Sequence, residues 1–150
     1  MARMKNALRG HFVQDYIAGQ EPDESGWLEL AKYISNITDD TEEETEEEAF
    51  YDGDGTIEQT IISVAGAYTV EGYYDPEDPA QELIASKKYK TGDERKVWHR
   101  VVSADGNKEW VGRATLSGIV AGAGEAGAYE EFGCTIRFDH APEEKDLSGE

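Results

Sequence analysis

Apolar and polar positions change places every second residue through parts of this chain, and the runs that do so are rich in Val, Ile, Thr, Tyr and Trp. Tyr68, Val70 and Gly72 set against Thr69, Glu71 and Tyr73 show the pattern in part. A period of two with β-branched and aromatic side chains is the signature of a half-buried strand. It predicts strands over residues 10–17, 27–34, 57–64, 67–74, 95–104, 108–120 and 129–139. Between the fifth and sixth lies Ala104-Asp105-Gly106-Asn107, whose Asp-Gly pair predicts a tight hairpin with positive φ at both central residues.

One stretch changes period. In residues 75–88, Asp78 suits an N-cap, Pro79 the first helical position and Gln81 the third, where it completes a capping box. Lys87 and Lys88 fall in the last turn, where cations complement the helix dipole. Leu83, Ile84 and the stem of Lys87 are the groups available to a core, which predicts a short helix, about 79–88, lying on a sheet surface. A mainly β chain with one flanking helix follows. No internal period of 20–50 residues marks a solenoid or propeller.

At 150 residues the chain has the length of one domain, taken as 1–150. Charge changes the picture more than size does. The 33 acids and 14 bases leave a formal charge of −19, and from Tyr33 to Ser86 there are sixteen acids and no Lys, Arg or His. Such a chain offers no basic face to grip phosphates, so tight DNA binding is disfavoured. The basic N-terminus lacks the apolar centre of a signal peptide, and no run approaches the ~20 apolar residues of a membrane span, so a soluble, cytoplasmically made chain is expected. Cys134 is the single cysteine, which excludes an intramolecular disulfide and any zinc site that needs two or more thiolates.

Several patterns invite a chemical reading. Asp52-Gly53-Asp54-Gly55 resembles the start of a calcium loop, but an EF-hand register puts Ile57 where Gly is required and Ser63 where a bidentate Glu is required. A turn launching the strand at Ile57 accounts for the same residues. Residues 122–127 match GxGxxG yet precede another strand rather than a helix, so a small-residue hairpin loop is expected and no dinucleotide. Cys134 falls between Phe132 and Ile136 at strand spacing and reads as a small buried hydrophobe. His11, His99 and His140 share no motif spacing, and among 33 acids any catalytic pair of carboxylates arises by chance. The aromatics Tyr51, Tyr68, Tyr73, Tyr74, Trp98 and Trp110 have no basic groove beside them, so core and subunit interface are expected rather than a nucleic-acid platform. No enzyme, cofactor or metal centre is expected.

A resemblance enters with Phe50-Tyr51-Asp52-Gly53-Asp54-Gly55-Thr56, then Val70-Glu71-Gly72-Tyr73-Tyr74-Asp75, then Asp78-Pro79-Ala80-Gln81-Glu82-Leu83-Ile84. In order and spacing, from about Ala31 to Phe138, the chain resembles the major tail tube proteins of long-tailed (siphovirus-type) bacteriophages of Gram-positive hosts. The resemblance implies a tail-tube-type β-sandwich or barrel with one flanking helix and a long acidic loop, 38–55. It implies a non-enzymatic virion protein made in the host cytoplasm. Hexameric rings would stack, through that loop and the terminal arms 1–9 and 141–150, into a tube around a tape measure protein, with terminator and tip proteins at its ends. Double-stranded DNA would pass through without specific binding, and no membrane is involved.

Charge and topology agree with this. Strands closed across subunits bury their edges. A conduit for DNA must not hold it, and acidic walls repel phosphates that basic walls would bind. The acidic run Asp39, Asp40, Glu42, Glu43, Glu44, Glu46, Glu47 and Glu48 is expected as a flexible loop. It admits three placements: ordered by stacking against Arg3, Lys5 and Arg9 of a neighbouring ring, simply solvated, or facing the lumen. The competing class is a monomeric acidic β-domain, a binding module or DNA mimic for a basic partner; a small head or connector protein is a third.

Overall fold

The computed structural model describes residues 5, 8–49, 51 and 55–147, with positions 48 and 58 described by their backbone alone. Among the described residues the chain is mainly β, a large curled sheet forming half a barrel, a two-stranded ribbon beyond it and one short α-helix. The strands of the described residues run in the order β1 Gly10–Asp15, β2 Leu28–Glu29, β3 Ile34–Asp39, β4 Glu42–Ala49, β5 Ile57–Ala65, β6 Ala67–Tyr73, β7 Lys96–Val102, β8 Lys108–Ala121, β9 Glu131–Phe138 and β10 Glu143–Asp146. Helix α1, Pro79–Ser86, lies between β6 and β7. The large sheet is ordered β2-β1-β7-β8-β9-β6-β3, with β10 also on β8, and every pairing is antiparallel.

Alternation places the core. Val97, His99 and Val101 of β7 and Phe132, Cys134, Ile136 and Phe138 of β9 point to one face. There they meet Val13, Val70, Leu116 and, from α1, Ala80 and Ile84. The helix starts as expected, with Asp78 accepting the Gln81 amide at 3.2 Å and Pro79 opening it. Gln81 departs from the expected capping box. Its side chain is fully buried, taking the Asp75 amide at 2.6 Å and donating to the carbonyls of Lys32 at 2.9 Å and Tyr73 at 3.1 Å. It ties the helix to the β2–β3 connection and to the end of β6. Lys87 caps the helix C-terminus, and its ammonium turns away to Asp15 at 2.7 Å.

Three expectations change. The segment 27–34 is not one strand: after β2 the chain turns at Tyr33, whose φ of 62° is costly for a bulky residue. Gly72 makes room for that turn, because a Cβ there would lie 2.3 Å from the Tyr33 carbonyl oxygen. In the 104–107 hairpin only Gly106 takes a positive φ, 76°, so the expected pair of left-handed residues is replaced by one, with the Gly106 amide donating to Ser103. Finally, the expected loop over 38–55 contains two strands, the end of β3 and all of β4.

Candidate assembly surface

β3 and β4 are two halves of one long strand broken at Asp40-Thr41, and β5 and β6 are two halves of another broken at Gly66. Their inner halves pair within the large sheet, Asp39 opposite Tyr68 through Ile34 opposite Gly72. Their outer halves pair only with each other, from Glu42 opposite Ala65 to Ala49 opposite Ile57. The result is a two-stranded ribbon extending about 27 Å past the sheet at about 3.4 Å per residue.

Asp39 and Asp40 belong to the break. Asp39 accepts from the Thr41 amide at 3.0 Å and hydroxyl at 2.5 Å, while Asp40 donates its amide to Ala67 at 2.8 Å and accepts from the Thr69 hydroxyl. These contacts fix where the ribbon leaves the sheet. Beyond them Glu42, Glu43, Glu44, Glu46 and Glu47 stand exposed along β4, and Glu48 belongs to the same strand. Poor strand formers hold this conformation because β5, with Ile57, Thr60, Ile61, Ile62 and Val64, supplies a template.

Register sorts the ribbon into two faces, because residues directly opposite each other share a face. One carries Glu42, Glu44 and Glu46 with Ala65, Ser63 and Thr60. The other carries Glu43, Thr45, Glu47 and Ala49 with Val64, Ile61, Gln59 and Ile57. Ile61 and Val64 are three apart and would point oppositely on an unbroken strand. A bulge between the Glu44–Ser63 and Thr45–Ile61 pairs makes Ile62 an extra residue and rephases the strand, so all three of Ile57, Ile61 and Val64 share a face. They are 64%, 54% and 54% exposed, while the core is sealed.

Of the residues expected to meet the acidic run, Arg3 lies outside the described residues. Lys5 opens a turn closed by the Leu8 amide at 3.0 Å. Arg9 stands at a groove of about 470 Å³ beside the open edge of β3, lined by Leu30, Ala31, Ile34, Ile37, Asp39 and Tyr68 among others. The Tyr68 hydroxyl titrates above its ordinary value, chiefly through burial and then the nearby Asp39 carboxylate, with Arg9 opposing. Among the described residues no ion pair joins Lys5 or Arg9 to the ribbon acids of the same chain. Of the turn Asp52, Gly53, Asp54, Gly55, the first three lie outside the described residues, and Gly55 enters β5 with a φ of 78°. The arm 141–150 is described as far as Leu147. Glu143–Asp146 form β10 on the chain's own β8, held by the Trp110 indole donating to Glu144 at 3.0 Å.

The remaining candidates resolve as structure. Gly122 and Gly124 take φ of 96° and 124° in the loop joining β8 to β9. Burial pushes the Cys134 thiol up to about 12, which leaves it inert. Among the described residues no cluster of three or more His, Cys, Asp or Glu could hold a metal. The histidines held a relationship that spacing concealed: His11 Nδ1 lies 3.3 Å from His99 Nε2, with Tyr68 edge-on to both rings and Phe138 stacked on His99. Burial, then Arg9, lowers His11 to about 4; burial, then His11, lowers His99 to about 3.

No family model matches the chain, and no curated protein matches it in sequence. Solved structures do match its fold. One is a chain from the tail of an empty GTA particle, computed with helical refinement under C6 symmetry. It is 13% identical, with a TM-score of 0.68 over 95% of this chain and 98% of that one.

Proposed function

We propose that this chain is a tail tube subunit: six copies close into a ring, and rings stack into the tail of a virion as a conduit for double-stranded DNA. The observation that carries the reading is the ribbon. A two-stranded hairpin standing alone is marginally stable in water, and this one also leaves an apolar face open and gathers acids without a compensating base. Such an element is built to be covered by another molecule. That the fold is shared end to end with a chain of a C6-symmetric tail supports a second copy as the cover.

The acids then serve the conduit. Carboxylates on a wall repel phosphates, so DNA slides rather than sticks. Six copies at −19 each repel one another over a Debye length of about 8–10 Å, so assembly should strengthen as salt rises. Glu42–Glu48, with Arg3, Lys5 and Arg9, are proposed as ring-to-ring contacts, with the lumen as the other placement for the acids. A tape measure protein inside the tube and terminator and tip proteins at its ends complete the proposed partners. Synthesis takes place in the host cytoplasm.

Negative-stain microscopy of the purified chain across concentration and salt tests the reading. Six-fold rings or regular tubes are expected. A species that stays monomeric throughout and captures a basic partner would establish instead the binding module or DNA mimic.

A further inference from the structure

The ribbon's two faces differ in chemistry, and the chain itself carries a surface that matches one of them. The face with Ile57, Ile61 and Val64 is aliphatic along β5 and acidic along β4, where Glu43 and Glu47 alternate with Thr45 and Ala49. A surface that receives it needs an aliphatic floor with a cation at the rim. It cannot be the same face of another ribbon, because Glu43 and Glu47 would then meet their own copies.

The groove beside β3 meets the requirement. Leu30 forms its floor, Ala31, Ile34 and Ile37 its apolar wall, and Arg9 its rim. Its lining carboxylate, Asp39, is already engaged by Thr41. β3 also bounds the large sheet, so among the described residues no strand lies beside its outer backbone groups. Other grooves fit less well. The one beside Trp98 sets Glu21, Glu24, Glu109 and Glu143 against Arg100 and Lys145, and the one beside Lys87 sets Asp15, Asp93 and Glu94 against Lys87 and Lys90, so acids outnumber bases in both and acid-flanked strands would meet a net like charge.

We infer that the aliphatic face of one copy's ribbon seats in the Leu30–Ile34–Ile37 groove of a second copy, with Arg9 beside Glu43 and Glu47, and that the Glu42–Glu44–Glu46 face lies outside this contact. The bulge at Ile62 is the device that makes the contact, since without it Val64 would turn to the acidic face. The contact joins two different patches and is therefore heterologous, the kind that propagates into rings or filaments. This rests on the reading that copies of the chain assemble with one another, and it names the surfaces through which they do so.

A heterologous contact is tested by complementation. One variant carries Ile61→Ser and Val64→Ser, which spoil the ribbon and leave the large sheet alone. The other carries Arg9→Glu, with Ile37→Thr as a second groove variant. Each alone is expected to need at least about tenfold more protein to assemble, the equivalent of one lost buried aliphatic contact, with an unchanged circular dichroism spectrum. Mixed in equal amounts, the intact ribbon of one fits the intact groove of the other, giving heterodimers that do not grow, read by light scattering and sedimentation. The inference is overturned, with the tube reading intact, if wild type assembles while the mixture stays monomeric, or if either variant assembles as wild type does. A wild-type chain that never associates overturns both.

Discussion

Lowering the pH should destabilise this protein before most of its carboxylates protonate, and the reason is the pair His11 and His99. In an unfolded chain each imidazole takes up its proton near 6.5. Folded, His11 is held down to about 4 and His99 to about 3, by burial first, then by Arg9 for His11 and by His11 for His99. Between those values and 6.5 the unfolded chain binds more protons than the folded one. Stability is therefore complete above about 6.5 and drains away as pH falls. At pH about 5 each histidine has lost about 1.5 pH units of linkage at 1.36 kcal/mol per unit, or about 2 kcal/mol, and the pair about 4 kcal/mol.

That is a large part of the 5–15 kcal/mol typical of a domain. The 3.3 Å contact adds a reason, since one ring nitrogen must accept what the other donates, and two imidazolium rings could only oppose each other. Burial raises Asp139, but Lys96, Thr115 and Arg113 outweigh it and hold the carboxyl below its usual range, so its share is given up only below about 3.8, outside this window. Urea unfolding followed by tryptophan fluorescence at pH about 7.5 and about 5, in dilute protein and about 0.5 M salt to screen the surface acids, reads the loss. The double variant His11→Gln, His99→Gln should lose most of the pH dependence whatever its stability at neutral pH. A wild-type midpoint that does not move between the two pH values, or a double variant that falls as steeply, refutes the reasoning.

Other outcomes follow from single contacts and are read by denaturant or thermal melts unless stated. Gln81→Ala strands the Asp75 amide and the Lys32 and Tyr73 carbonyls, and should cost about 3 kcal/mol. Asp78→Ala removes the cap on the Gln81 amide for about 1 kcal/mol. Gly72→Ala drives a Cβ into the Tyr33 carbonyl, so the turn into β3 must shift, and a loss of more than about 2 kcal/mol is expected. Gln at positions 42, 44 and 46 should leave the monomer's melt within about 0.5 kcal/mol, as at exposed surface sites, yet flatten the salt dependence of assembly measured by sedimentation.

What could be read in the sequence was what local period and turn chemistry encode. The strands around Val97, Ile136 and Val70 alternate cleanly because one face is buried, and Asp78-Pro79 marks a helix start whatever lies nearby. β4 and β10 were hidden for a shared reason. Glu-rich segments have poor strand propensity, and Glu42–Ala49 and Glu143–Asp146 are extended because pairing with β5 and β8 templates them. The amphipathic ribbon was equally hidden, since its phase depends on a bulge that only pairing reveals. The histidine pair left one signal: His11 sits two from Val13, and His99 two from Val97 and Val101, so both occupied inward phases. Nothing in spacing, though, could bring residues 88 apart into contact.

The interruption at Asp40-Thr41 and Gly66 has a mechanical meaning. The ribbon joins the body through two backbone segments with little side-chain bulk, and Gly66 lies so close to the Phe138 ring that a Cβ there would stand 3.1 Å from it. A slender arm on a narrow root deflects more readily than a packed sheet deforms. A cylinder assembled through such arms would bend as a stack of stiff discs on leaf springs. Its curvature would be taken up at the joints, and the bore of each disc would stay round.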